Sequence, residues 1–200
     1  MRILLWLVIF FAVLIWSVID PYDYPTWILE VFPALVGLLV LGITRRRFPL
    51  TPMTYVLILI FSLILMVGGH YTYARVPLFD DLSVWFGWGR NNYDKLGHFA
   101  QGFVPAIIAR EILVRRSVVN GRGWLNLFVV SLCLAISALY EVVEWIVALI
   151  SEEAAASFLG TQGYVWDTQS DMATALLGAI VALLVLGRVH DRQIDRLQRS

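Results

Sequence analysis

The stretch NNYDKLGHFAQGFVPAIIAREILV, residues 91–114, joins a polar segment to a long apolar run. Its first half places an aspartate, a lysine, a histidine and a glutamine where a hydrophobic helix begins. An ionisable side chain inside a membrane span costs about 2.5 kcal/mol or more unless it faces protein partners or water. The stretch therefore predicts a helix that enters a membrane beside a polar site, and the rest of the chain supplies candidates for that site.

The composition of the 200-residue chain is that of an integral membrane protein. Hydrophobic residues make up 60% of the chain and charged residues 15%, with a mean hydropathy of +0.76. Soluble domains are about 45–50% apolar and about 25% charged. The formal net charge of zero gives no indication of a nucleic-acid partner, so the predicted partner is the lipid bilayer. The single cysteine, Cys133, excludes a disulfide within the chain.

Six apolar segments are long enough, or nearly long enough, to cross a bilayer, which takes about 17–25 residues. The sequence predicts an all-α bundle of six transmembrane helices that form one membrane domain over residues 1–200. The predicted spans are residues 3–19, 27–43, 55–70, 96–114, 124–150 and 171–186.

The distribution of cations predicts the orientation of these spans, because cytoplasmic loops carry an excess of Lys and Arg. If the amino terminus is cytoplasmic, only Arg75, Arg90 and Lys95 of the 15 Lys and Arg residues lie outside. Every inner loop agrees with this arrangement. We therefore expect both termini in the cytoplasm.

Polar side chains recur at helical spacing on several predicted spans. The fourth span opens with an aspartate and a histidine four residues apart, the fifth carries two glutamates three apart, and the sixth is entered through two aspartates four apart. Residues three or four apart lie on one helical face. The orientation predicts that all three pairs, with a histidine that ends the third span, converge on the outer side. The candidate pocket residues are His70, Asp94, His98, Glu141, Glu144, Asp167 and Asp171, and the supporting candidates are Gln101, Lys95 and Tyr71.

This set of side chains predicts a site for a divalent metal ion. Carboxylates alone would repel one another, and several could ionise together only with a cation among them. Carboxylates and imidazoles projecting inward from helices are the ligands that helical bundles use for metals. Zinc, manganese or iron would suit mixed nitrogen and oxygen ligands, whereas calcium or magnesium would use the oxygens alone.

Two other interpretations of the same residues stay open. Asp94 could cap the fourth helix, and Asp167 or Asp171 could cap the sixth, because aspartate is favoured at N-cap positions. A salt-bridge network that locks the bundle is the main rival to a metal site. Lys95 supports that rival, because its ammonium group can neutralise a nearby acid without a metal.

The longest predicted outside segment, residues 74–93, mixes aromatic and aliphatic residues with Asp80 and Asp81. This pattern suits a short helix lying in the membrane interface. We expect this helix to act as a lid over the acidic site.

Four motifs together resemble one family. They are GGHYTY (residues 68–73), NNYDKLGHFAQG (91–102), YEVVEW (140–145) and GYVWDTQSDMATALLGA (163–179). This combination resembles the YjdF family of bacterial inner-membrane proteins, and the likeness covers nearly the whole chain. The family is a domain of unknown function, so the resemblance implies location in the inner membrane and a multi-pass topology but no reaction.

A more distant likeness covers only the last three spans. DKLGHF (residues 94–99), followed by a late helix with an acid and a glycine, is similar to the VanZ-like membrane family, which is associated with glycopeptide tolerance. This resemblance favours a role in the cell envelope and implies no catalytic residue.

Three functional hypotheses follow from these patterns. The first is a metal-dependent enzyme acting on a lipid or lipid-linked envelope substrate, with one spare carboxylate as general base. The second is an ion or proton transporter that uses the carboxylates as a relay. Its only candidates for a polar route on the inner side are Arg110 and Glu111. The third is a non-catalytic membrane protein whose polar network only fixes helix packing.

Overall fold

The computed structural model of the protein describes residues 3–150 and 165–199, and within these residues the regular elements are helices and no strand is present. The predicted all-α class is therefore confirmed. The helices are α1 (Ile3–Val18), α2 (Tyr24–Thr44), α3 (Pro52–Tyr71), α4 (Pro77–Phe86), α5 (Tyr93–Arg115), α6 (Arg122–Ile150) and α7 (Asp167–Arg199).

Local sequence signals explain where several helices begin. The side chain of Asp23 caps α2 by accepting a hydrogen bond from the backbone N–H of Thr26 at 2.8 Å. Thr51 caps α3 in the same way through the N–H of Thr54. A proline lies in the first turn of each helix, where its missing N–H has no intrahelical partner to lose.

Each of the six predicted spans coincides with a helix, although the ends differ. Four helices, α2, α3, α6 and α7, are long and apolar enough to cross a membrane. Helix α1 is shorter, with 16 residues. The largest difference is in α7, which was expected over residues 171–186 and in fact has 33 residues, or about 50 Å of helix.

Helix α5 departs from a simple apolar span because it is surrounded by protein. Twelve of its 23 residues are buried, including Arg110 and Glu111. It packs against α3, α6 and α7. A helix with these neighbours can carry ionisable side chains, since they meet protein partners and not lipid tails.

Helices α5 and α7 approach each other so closely that their backbones touch. A Cβ atom added to Gly102 of α5 would lie 1.7 Å from the carbonyl oxygen of Ala175, and one added to Gly178 of α7 would lie 2.2 Å from that of Phe99. Small residues are what allow membrane helices to pack at this distance. This contact fixes the starts of α5 and α7 side by side, which determines the geometry of the site described below.

Two groups of contacts define the ends of the bundle. Aromatic contacts and hydrogen bonds join the end of α3 and the start of α7 to the start of α5. At the opposite end, buried hydrogen bonds join the start of α3 to the end of α5 and to the later part of α7. We name these the His98 end and the His190 end after a buried histidine at each.

The short helix α4 occupies part of the segment predicted to hold an interfacial helix. None of its residues is buried, and Val84 and Trp85 are 79% and 76% exposed. Asn91 ties it to α5 by donating its side-chain amide to the backbone oxygen of Val76 and to Asp80. The expected helix is therefore present, and its role as a lid stays a prediction.

Candidate functional site

Asp94, His98 and Asp171 form a cluster at the His98 end. Nε2 of His98 lies 3.3 Å from Oδ1 of Asp94, one helical turn earlier on α5. The same nitrogen lies 3.9 Å from Oδ1 of Asp171 on α7. One ligand atom from each of the three residues lies within 4.8 Å of the other two, so this group could hold a metal ion.

The second ring nitrogen of His98 is held by an amide. Nδ1 lies 3.2 Å from Oε1 of Gln101. Because an amide oxygen only accepts hydrogen bonds, this contact assigns the proton of a neutral ring to Nδ1. The lone pair of Nε2 then faces the two aspartates, which is the arrangement that a metal-binding histidine requires.

A cationic side chain lies on the other side of Asp171. Nζ of Lys95 donates to Asp171, to Oδ1 of Asp167 at 3.1 Å and to Oγ of Ser170 at 2.6 Å. Arg90 also reaches Asp167, at 3.3 Å. The ion-pair network expected from Lys95 is therefore present. It shares the carboxylate of Asp171 with the histidine cluster, and Nζ of Lys95 also lies 3.8 Å from Oδ2 of Asp94.

Glu141 reaches the cluster from α6, and one of its carboxylate oxygens lacks a hydrogen-bond partner among the described residues. Its Oε1 atom lies 3.9 Å from Nδ1 of His98, which is beyond hydrogen-bonding distance. This buried oxygen has no hydrogen-bond partner among the described residues, and the same is true of Oγ of Ser137, four residues earlier on the same helical face. Buried polar atoms without partners are rare in native proteins, and they often indicate a functional role or a bound species.

The second predicted glutamate, Glu144, lines a cavity. Glu144 and His98 line a partly open space of about 240 Å³ between α2, α3, α5 and α6. Its walls are mostly apolar, and Pro33 of α2 and Pro105 of α5 contribute to them. The cavity therefore places an acidic group and the cluster histidine beside an apolar space at the depth of the membrane helices.

Two residues of this cavity, Glu30 and Tyr73, were absent from the sequence prediction. Glu30 of α2 is buried and accepts a hydrogen bond from the hydroxyl of Tyr140 at 2.7 Å. Glu30 is an acid within a predicted span. The free-energy cost of placing an ionisable side chain in a membrane, which selected Glu141, should therefore also have selected Glu30. Tyr73 follows α3, and burial, together with the nearby Glu30 carboxylate, raises the pKa of its phenol well above the usual range.

Two predicted residues contact a different part of the protein. Nδ1 of His70 lies 3.1 Å from the backbone oxygen of Ser17 in α1. Its ring packs on Trp16 and Tyr71 at centroid distances of 4.5 and 4.6 Å. His70 and Tyr71 thus join the end of α3 to α1, and neither belongs to the Asp94–His98–Asp171 cluster or lines the cavity.

The helix-capping interpretation of Asp94 was wrong. The N-cap position of α5 is Asn92, and Asp94 lies in the first turn. Asp167 likewise lies in the first turn of α7, and Asp171 lies one turn further along. An acid in the first turn still interacts favourably with the helix dipole, but the side-chain contacts of Asp94 and Asp171 go to His98 and Lys95.

A second buried polar cluster lies at the His190 end. Glu111 is fully buried, and its oxygens accept hydrogen bonds from the backbone N–H and hydroxyl of Thr51, from the hydroxyl of Thr54 and from Arg115. Oε2 also lies 3.1 Å from Nε2 of His190. Both oxygens of the Glu111 carboxylate therefore have hydrogen-bond partners, whereas Oε1 of Glu141 has none among the described residues.

The geometry also assigns the tautomer of His190. Nη1 of Arg110 lies 3.3 Å from Nδ1 of this histidine. Because a guanidinium group only donates, Nδ1 must accept and Nε2 must carry the proton that bonds to Glu111. The sequence prediction selected Arg110 and Glu111 at this end but missed His190, because it was placed outside the last predicted span.

The comparisons with known proteins agree with the expected family. The family described as predicted membrane protein (DUF2238) matches residues 2–192. The chain is 52% identical over 184 residues to the inner membrane protein YjdF of Escherichia coli strain K12, covering 92% of this chain and 88% of that protein. No solved structure matches the chain. The chain therefore belongs to the DUF2238 family, and it is a multi-pass protein of the inner membrane.

Proposed function

We propose that this protein binds a divalent metal ion through Asp94, His98 and Asp171, and that it is a metal-dependent enzyme acting on a lipid or lipid-linked envelope substrate. The observation that carries the proposal is the proximity of the three ligand atoms, which all lie within 4.8 Å of one another. One imidazole nitrogen with two carboxylates suits zinc, manganese or iron better than calcium or magnesium, which favour oxygen ligands.

The excess of negative charge around the cluster supports the binding of a further cation. Asp94, Asp167, Asp171 and Glu141 carry four formal negative charges, and Lys95 and Arg90 offer two positive charges. Buried carboxylates ionise together only when cations balance them. A divalent ion beside a neutral His98 would supply the missing charge.

Lys95 is the main competitor of a metal at this site. It already donates to Asp171, so metal binding requires its ammonium group to move towards Asp167 and Ser170, both of which are within its reach. The rival interpretation, a purely structural network, predicts that Lys95 stays in place. Oε1 of Glu141 has no hydrogen-bond partner among the described residues. This favours the metal site, because a network that only locked the bundle would satisfy its buried acids.

The proposed chemistry assigns a role to each neighbour of the metal. Gln101 orients His98 through Nδ1. A bound metal would act as a Lewis acid towards a carbonyl or phosphoryl oxygen of the substrate. Glu141, with a free oxygen 3.9 Å from His98, is the candidate general base.

We further propose that six helices, α1 to α3 and α5 to α7, cross the membrane with both termini in the cytoplasm. The excess of Lys and Arg at the His190 end supports this orientation. The four helices that meet the length and hydropathy requirement support the count. In this orientation the metal site lies near the outer surface, where envelope substrates are present.

Transport is the less favoured alternative. The buried Glu111–His190 cluster supplies ionisable groups at the opposite end of the bundle, which favours a relay. The buried residues of α5 and α7 between the two clusters are apolar, however, with Ala106, Ala179 and Ala182 fully buried. A proton relay needs polar groups or water along its path, so this packing favours an enzyme.

Metal analysis of the purified full-length protein tests the proposal. We expect about one equivalent of zinc, manganese or iron per chain after loading, and loss of that metal in His98→Ala. The matched control is His70→Ala, which removes another histidine at the same end and should leave the metal content unchanged. Metal that is substoichiometric in the wild type and equal in the two variants would reject the metal site.

A further inference from the structure

The cavity beside the metal cluster has more negative groups than cations to match them. Glu30, Asp94 and Glu144 line it, and no lysine or arginine is among its described lining residues. Oδ1 of Asp94 lies 3.3 Å from Nε2 of His98. Among the described residues, Glu30 and Glu144 form no ion pair, and Glu30 accepts a hydrogen bond from the neutral hydroxyl of Tyr140.

The rest of the cavity suits the apolar part of an amphiphile. Phe61, Leu65, Ile136 and Leu139 line it together with two prolines. A mostly apolar space with a few convergent polar groups is the usual form of a small-molecule site. The volume of about 240 Å³ is enough for a head group and the first carbons of a chain, not for a whole lipid.

The position of the cavity indicates where such a ligand would enter. On α6, the lining residue Leu139 is 64% exposed, and Ile136 and Val143 are also exposed. These side chains lie on a membrane helix, so the exposed surface faces lipid. The hydrogen bond from Tyr140 to Glu30 joins α6 to α2 across the cavity. The two helices therefore flank the cavity, and the exposed lining residues of α6 indicate that it opens towards the bilayer on this side.

Glu141 adds a second, independent sign of an uncompensated charge. Its Oε1 atom lies 3.9 Å from Nδ1 of His98, which is itself a lining residue, and Glu141 is only 7% exposed. Its Oε1 atom has no hydrogen-bond partner among the described residues. A ligand cation near His98 would interact with this carboxylate as well as with Glu30 and Glu144.

We propose that this cavity binds the ammonium head group of a membrane phospholipid that enters from the bilayer between α2 and α6. The carboxylates of Glu30 and Glu144 neutralise the ammonium charge, and the aromatic residues Tyr73 and Tyr140 line the same cavity. The acyl chains stay in the bilayer beside α6. This inference names the lipid class for the proposed enzyme, and it rests on the proposed function only for catalysis, because binding itself requires no metal.

The test measures lipid binding to full-length protein that has been stripped of metal with a chelator. The probes are phosphatidylethanolamine, its N-acetylated derivative, which keeps the chains and phosphate but loses the ammonium charge, and phosphatidylglycerol. Native mass spectrometry reports the fraction of protein with one bound lipid. We expect phosphatidylethanolamine to bind at least tenfold more tightly than either other lipid.

Two variants connect the binding to the cavity. Glu30→Gln with Glu144→Gln should reduce phosphatidylethanolamine binding at least tenfold, and Glu144→Gln alone should reduce it less and serves if the double variant fails to fold. Asp81→Asn, an exposed acid of α4, is the matched control and should bind as the wild type does.

Equal binding of phosphatidylethanolamine and its N-acetylated derivative would overturn the proposal, as would wild-type binding by a folded Glu144→Gln variant and by the double variant. Because the metal has been removed, failure of this test leaves the metal proposal standing, and loss of the metal proposal leaves this one standing.

Discussion

Lys95 of α5 donates its ammonium group to Asp171 of α7, which is also the residue that brings the second carboxylate to the histidine cluster. Nζ of Lys95 also lies 3.8 Å from Oδ2 of Asp94, and the more closely bound Asp171 carboxylate is shared between this internal cation and the proposed metal. Two positive charges cannot both stay close to it without strong repulsion. We therefore expect Lys95 to contact Asp171 when no metal is bound and to move away from it when a metal binds.

Replacement of Lys95 should strengthen metal binding. In Lys95→Met the competing charge is gone, so we expect the affinity for Mn²⁺ to rise about tenfold, which corresponds to about 1.4 kcal/mol. Titration calorimetry on metal-stripped protein measures this change. Arg188→Met, which removes an exposed positive charge from the later part of α7, is the control and should have the wild-type affinity. An unchanged or weaker affinity in Lys95→Met would contradict the shared-carboxylate model.

Close packing of α5 on α7 should make Gly102 intolerant of a methyl group. In Gly102→Ala the new Cβ would lie 1.7 Å from the carbonyl oxygen of Ala175, so the helices must separate. We expect a loss of about 3 kcal/mol in the free energy of unfolding, together with weaker metal binding because Asp171 moves from His98. Denaturation in mixed micelles measures the stability.

The control for this change is Gly37→Ala in α2. A Cβ atom there meets nothing within 4 Å, so stability should stay the same or rise slightly. Similar stabilities of the two alanine variants would show that α5 and α7 are not in backbone contact.

The cluster at the His190 end should matter for stability but not for metal binding. Glu111→Ala leaves Thr51, Arg115 and His190 without their shared partner. Removal of one member of a buried ion pair destabilises a protein by about 3–5 kcal/mol. Asp195→Ala, an exposed acid further along α7, should change stability by less than about 0.5 kcal/mol. Loss of bound metal in a folded Glu111→Ala variant would show that the two clusters are coupled.

Cysteine labelling tests the orientation in the membrane. In a Cys133→Ser background, Val118→Cys lies between α5 and α6 and Asp81→Cys lies on α4, and both positions are exposed. A membrane-impermeant maleimide added to intact spheroplasts should label position 81 and not position 118. Lysis of the spheroplasts should make position 118 reactive. The opposite pattern would place the metal site at the cytoplasmic surface and remove the argument for an envelope substrate.

The helices were predictable from the sequence because bilayer thickness restricts the length of an apolar span. Helix α5 is too polar to meet the hydropathy requirement for a membrane span. It was still predicted, because its apolar second half and its charged first half could be recognised separately. The ends were less predictable. Helix α7 continues to Arg199, well past the predicted end at residue 186. The prediction ended too early because the last turns of the helix are polar and carry no hydropathy signal.

The pairs on one helix were predictable, but the contacts between helices were not. Helical spacing placed Asp94 and His98 on one face, and the structure brings them within 3.3 Å. The distance from His98 to Asp171 depends on the glycine contact between α5 and α7, which has no signal in the spacing of acids. His70 illustrates the limit, because a polar residue at the same end of the bundle contacts α1 and not the cluster.

Pulsed electron paramagnetic resonance of the protein loaded with Mn²⁺ tests the metal site most directly, because it detects nitrogen atoms bound to the ion. The chain has three histidines, so variants assign the signal. The account predicts modulation from one histidine nitrogen that changes when the histidines carry ¹⁵N, persists in His70→Gln and is absent in His98→Gln. Bound Mn²⁺ without a nitrogen ligand in the wild type, or a nitrogen signal that survives in His98→Gln, would contradict a metal site built on Asp94, His98 and Asp171.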